Sequence, residues 1–179
     1  MKHIQLFEQF INEAKTDLVK YVKDASKKTF AKGGNGQNIL DYTIDIAKYI
    51  QSYDKGEDAY GTQTVPFFMR LVDSMGLDDV AHNNISGKKP AKKDIFRGPS
   101  DLVDVVNSAI KMAKMRGGTG KGWDKATLEL AAHLQDYKQG RESNGPSEDG
   151  FYGSSTLSTF TRLVDMLSTD DANNNKVSK

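Results

Sequence analysis

The residues that could do chemistry in this 179-residue chain are few and scattered. A glycine-rich stretch, GGTGKG, precedes an apolar helical pattern, and free N–H groups at a helix start bind anions. A phosphate loop needs Gly, four residues and Gly-Lys-Ser/Thr; here Met115 holds the first glycine position and Gly122 the last. The related GGNGQN lacks the lysine, and a helix rather than a strand precedes each, so both are expected to be helix–helix turns. His3, His82 and His133 lie far apart without ligand spacing, and with no cysteine in the chain no zinc site is expected. His133 stands where the other half of the chain has Tyr49, which points to packing. Neither GxSxG nor HExxH occurs, and no carboxylates cluster as a catalytic pair. No cofactor is implied, and the chain is expected not to be an enzyme. Arg70 with Asp73 and Arg162 with Asp165 are i,i+3 pairs, which fits either exposed ion pairs or a shared ligand contact. Lys88, Lys89, Lys92 and Lys93 in KKPAKK, with Lys20, Lys23, Lys27, Lys28 and Lys32, make the first half locally basic. They would serve phosphate binding only on one face without acidic neighbours, and Asp17 and Asp24 dilute them.

The elements that position these residues occur twice. DLVKYVKDASKKTFAKGGNG from Asp17 matches DLVDVVNSAIKMAKMRGGTG from Asp101 at an offset of 84 (17 to 101). AYGTQTVPFFMRLVDSMGLDD matches FYGSSTLSTFTRLVDMLSTDD with Tyr60 on Tyr152, an offset of 92 (60 to 152). The difference, 92 − 84 = 8 residues, falls within RESNGPSEDG, a composition typical of an exposed loop. Each copy predicts three helices. The first starts at an Asp N-cap (Asp17, Asp101) and stops at a double glycine. The second carries Ile39, Tyr42, Thr43, Ile46, Ala47, Ile50 and Tyr53, or Trp123, Ala126, Thr127, Leu130, Ala131, Leu134 and Tyr137, at helical spacing. The third is predicted over 64–75 and 156–167. Few windows alternate with period two, so strands are not expected.

The expected fold is all-α: a tandem duplication of a three-helix unit preceded by an N-terminal amphipathic helix. Its parts are a segment 1–14, a repeat 15–82, a basic linker 83–100, a second repeat 101–172 and a polar tail 173–179 too polar to pack. Twenty-five basic and 24 acidic residues cancel to +1, so no global field recruits nucleic acid or a membrane. The absence of cysteine suits a reducing compartment. Gln5, Glu8 and Gln9 interrupt any secretory signal, and no apolar run approaches the roughly 20 residues that span a bilayer. A protein made in a cytoplasm, without a membrane partner, is expected.

One stretch remains, MKHIQLFEQFINEAK. Ile4, Phe7, Phe10, Ile11 and Ala14 form a helical stripe, which fits a plain first helix. Met1-Lys2 followed by Phe10-Ile11-Asn12-Glu13-Ala14 also resembles the start of internal head proteins of T-even-like tailed phages. In that family the segment is a capsid-targeting address, removed by the prohead protease after Leu/Ile-x-Glu. The resemblance covers about fifteen residues and implies a processing site at Ile11, Glu13 and Ala14, with Leu6 and Glu8 a second candidate. It implies a protein of the virion, packaged in the phage head, with head or scaffold proteins and the prohead protease as partners. The duplicated body would then offer two similar faces to a structural partner, to DNA or to a host target. The alternatives are another virion component (head decoration, neck or tail) and an injected effector that inhibits a host defence enzyme.

Overall fold

A computed structural model describes residues 17–52, 63–83, 101–137 and 152–176. The protein is all-α. Among the described residues there are six helices and no strand: α1 Leu18–Ala31, α2 Gln37–Ser52, α3 Thr64–Asn83, α4 Leu102–Met115, α5 Asp124–Tyr137 and α6 Ser154–Lys176.

The predicted starts and stops of α1 and α4 are where the chain places them. Asp17 accepts from the amide of Lys20, and Asp101 from that of Asp104. At the other end Gly33 (φ 96°) and Gly117 (φ 100°) take the left-handed conformation. The amides of Gly34 and Gly118 then bond back to the carbonyls of Thr29 and Ala113, closing both helices with a Schellman turn. Gln51 and Gln135 reach from α2 and α5 to the free first-turn amides of Val19 and Leu102, at 3.3 and 2.7 Å.

The third helices run further than predicted. α3 does not stop at Met75, because Gly76 lets Thr29 of α1 approach where a Cβ would sit 2.6 Å from its Oγ1. At the matching position of α6, Ser168 donates to the Ala109 carbonyl at 2.9 Å. Helical structure therefore includes Asn83, placed in the linker by sequence, and the start of the polar tail. Asp171 and Ala172 are buried, and Asn175 donates to the Asp171 carbonyl and carboxylate. The start of the tail is tied back by Asn175, not by apolar burial.

The isoleucines, leucines, alanines and Trp123 of the stripes join one continuous core drawn from both halves of the chain, while Tyr53 and the side chain of Tyr137 lie outside the described residues. Ile39, Trp123, Ile46, Leu130, Ile50 and Leu134 are all buried. The halves meet through α3 against α6 and α2 against α5. α3 and α6 lie antiparallel: Thr64 at the start of α3 donates to Asp170 late in α6, and Thr156 early in α6 donates to Asp78 late in α3. Asp78 also accepts from the Gly153 amide at 2.9 Å, capping α6 from the other half.

Candidate functional site

The two glycine loops have already bound an anion, and it is the chain's own. Asp79 of α3 accepts from the amides of Asn35 (3.0 Å) and Gly36 (2.6 Å). Asp171 of α6 accepts from the amides of Thr119 (3.1 Å) and Gly120 (2.6 Å), and from Trp123 Nε1 (3.3 Å). Asn83 and Asn175, one turn on, donate to the same carboxylates. A carboxylate held by two successive amides is what such a loop offers a phosphate, so the site is filled from within. Lys121 is exposed. These aspartates escaped sequence reasoning, although both matched stretches end in Asp-Asp (78–79 and 170–171) and that shared polar pair was the available signal.

His133 is a packed residue. Its ring stacks on Tyr42 of α2 at 3.9 Å between centroids, and Nε2 lies 2.7 Å from the Tyr152 hydroxyl. Burial drives its pKa down to about 4, against the weaker opposite pull of Asp136 and Asp41. It stays neutral at pH 7, bridging the two halves.

The i,i+3 pairs read from sequence do not close. Among the described residues no ion pair joins Arg70 to Asp73 or Arg162 to Asp165. Asp73 instead accepts a 2.7 Å bond from the Tyr21 hydroxyl of α1, and the Arg70 guanidinium lies over the Phe67 ring at 5.4 Å. Exposed i,i+3 pairs stabilise by only tenths of a kcal/mol, so either contact outweighs them. Burial, then the bond to Asp73 and its charge, push the Tyr21 hydroxyl up to about 12. Ile11, Glu13, Ala14, Leu6 and Glu8, and the linker lysines Lys88, Lys89, Lys92 and Lys93, lie outside the described residues.

Asp165 has no equivalent of Tyr21. Val105 takes that position on α4 and offers no hydroxyl, and among the described residues no side chain or amide bonds the carboxylate. Burial raises its pKa above the ordinary carboxylate value. Where the Tyr21 hydroxyl reaches Asp73 in the first half, the second half has a groove of about 760 Å³ between α4 and α6. Val105, Ala109 and Met112 form its apolar floor, and Asp101, Asp104 and Asp165 its rim, with Arg116 at one end. A smaller groove of about 470 Å³ flanks Asp165 on the other side, where Arg162 and Asp170 also lie. Of the four residues singled out as i,i+3 partners, Arg162 and Asp165 thus share a concave surface, and Asp73 is tied to α1. Such a place can take an apolar group that carries positive charge. Among the described residues no group of His, Asp or Glu is placed to hold a metal ion. No helix among them is long and apolar enough to cross a membrane.

No protein-family model, curated protein or solved structure matches the chain.

Proposed function

We propose that the protein is a non-enzymatic binding protein of a tailed-phage particle, packaged in the head through its N-terminal segment. The observation that carries the location is Met1-Lys2 followed by Phe10-Ile11-Asn12-Glu13-Ala14, the pattern of a removable head address. The body supports a binding rather than a catalytic role. Its glycine loops are occupied by Asp79 and Asp171, the buried His133 is held between two tyrosines, and an open concave surface lies between α4 and α6. The repeated caps, Schellman turns and aspartate-filled loops support an origin by duplication of a three-helix unit.

The acidic rim of that groove favours a protein partner over DNA, because three carboxylates against one arginine repel phosphate. Among the described residues the lysines of α1 offer a surface to nucleic acid, and Lys20, Lys23 and Lys27 are all exposed. Mass spectrometry of the protein recovered from purified particles tests the location. A chain beginning at Ala14, with Glu13→Ala retaining the segment, is the expected result. Absence of the protein from particles whose host cells contain it would overturn the reading.

A further inference from the structure

The two halves treat one structural position in opposite ways. Between α1 and α3 Tyr21 covers the inter-helix surface, and its hydroxyl satisfies Asp73. Between α4 and α6 valine replaces tyrosine, and the groove stays open beside a partly desolvated carboxylate. Three neighbouring substitutions make the groove more acidic on balance. Asp104 replaces Lys20, Ser108 replaces Asp24 and Met112 replaces Lys28, while Arg116 keeps the charge of Lys32. The matching positions of the first half carry three aspartates (17, 24, 73) and three lysines (20, 28, 32), a balance of zero. The groove carries three aspartates and one arginine, a balance of −2. The exchange therefore removes a plug, adds negative charge and lays an adaptable methionine, 41% exposed, along the floor.

We propose that the groove between α4 and α6 docks a helical segment of a partner protein that is apolar on one face and lysine- or arginine-bearing at its edge. Val105, Ala109 and Met112 repeat at i, i+4 and i+7, the register in which one helix presents a stripe to another. From Asp101 to Arg116 the groove runs about 22 Å at 1.5 Å per residue, room for a guest of roughly four turns. The charge balance decides the sign of the guest, and Asp165 is the anchor. Its carboxylate lines the groove beside the apolar stripe of α4 and accepts no hydrogen bond among the described residues, so it is open to a guest cation. This deepens the reading of the body as a binding surface and does not depend on a location in phage heads.

The test uses the full-length protein and a synthetic 14-residue helical peptide of leucine and lysine, with leucine on one face, and its glutamate-for-lysine counterpart as control. Binding is followed by calorimetry at two salt concentrations, with sedimentation of the protein alone alongside. The lysine peptide should bind, and the glutamate peptide should not. Val105→Tyr, which installs the first half's plug without changing charge, should weaken binding at least tenfold. Asp165→Asn should weaken it severalfold and reduce its salt dependence, while Asp45→Asn on exposed α2 should change nothing. Circular dichroism confirms that each variant is folded, and Asp165→Asn carries the test should Val105→Tyr fail to fold. Equal affinity of wild type and Val105→Tyr, or of both peptides, overturns the proposal. So does concentration-dependent self-association abolished by Val105→Tyr, which would make a second copy the occupant.

Discussion

His133 shows how a residue with catalytic potential is committed to structure. Unfolded, a histidine titrates near 6.5; between Tyr42 and Tyr152 this one titrates at about 4. The folded state therefore binds fewer protons than the unfolded state between those values, and stability falls as pH drops through that window. A loss of about 2 kcal/mol by pH 4, after allowance for solvent screening, is expected from this residue. Denaturant titrations from pH 7 to 4 check it: His133→Phe should flatten the slope in that interval, and an unchanged slope would show that other groups govern acid unfolding. Asp171 is committed in another way, as a hydrogen-bond acceptor. Asp171→Ala leaves the buried Gly120 amide and Trp123 Nε1 without their acceptor. Each unsatisfied group costs about 1–3 kcal/mol, so a loss of about 3–5 kcal/mol is expected. Asp79→Ala, whose loop has no tryptophan donor, should cost about 2–4 kcal/mol. Equal losses in chemical denaturation would show that the indole bond contributes little.

The loops between the first and second helices explain why glycine recurs at this spacing. Gly33 needs its positive φ, but a Cβ there would meet nothing within 4 Å. Gly36 needs a positive φ of 73° as well, and a Cβ would lie 2.5 Å from the Ser26 carbonyl oxygen, a backbone atom that cannot swing aside. Gly33→Ala should thus cost about 1 kcal/mol, the penalty of the left-handed conformation alone. Gly36→Ala should cost at least about 2 kcal/mol more, because the loop must move and with it the amide that holds Asp79. Thermal melts of the two variants rank them, and a reversed order would mean that the loop relaxes freely. The same geometry makes the loop a poor phosphate site, since an incoming anion would have to displace a carboxylate on the next helix but one.

At the scale of the molecule the halves are mutually dependent. α3 and α6 exchange polar contacts at both ends, through Thr64 with Asp170 and Thr156 with Asp78. His133 of α5 stacks on Tyr42 of α2, and the buried residues of both halves belong to one cluster. Unfolding should therefore be a single cooperative transition, with calorimetric and van't Hoff enthalpies equal. Leu134→Ala should lower the stability of the whole chain by about 2–5 kcal/mol. Two resolved transitions, only one of which moves with Leu134→Ala, would refute this dependence.

Helix class, caps and core stripes were legible in the sequence because they depend on near neighbours. An Asp before an apolar run caps whatever its surroundings, a double glycine stops a helix locally, and Ile39, Ile46 and Ile50 share a face through backbone geometry alone. The proposed address at the N-terminus is likewise a linear pattern, and it lies outside the described residues. What sequence could not decide are contacts between residues 40 to 110 positions apart. Nothing local says that Asp171 will fill the loop at Thr119 and Gly120, or that the chain stays helical beyond it to Lys176. Nothing local says that Asp73 will prefer Tyr21 to Arg70. The groove beside Asp165 was least legible of all, since it is created by an absence: valine for tyrosine at position 105 is an unremarkable exchange on one helix. It opens a surface only because α6 brings a carboxylate to the place where the missing hydroxyl would have been.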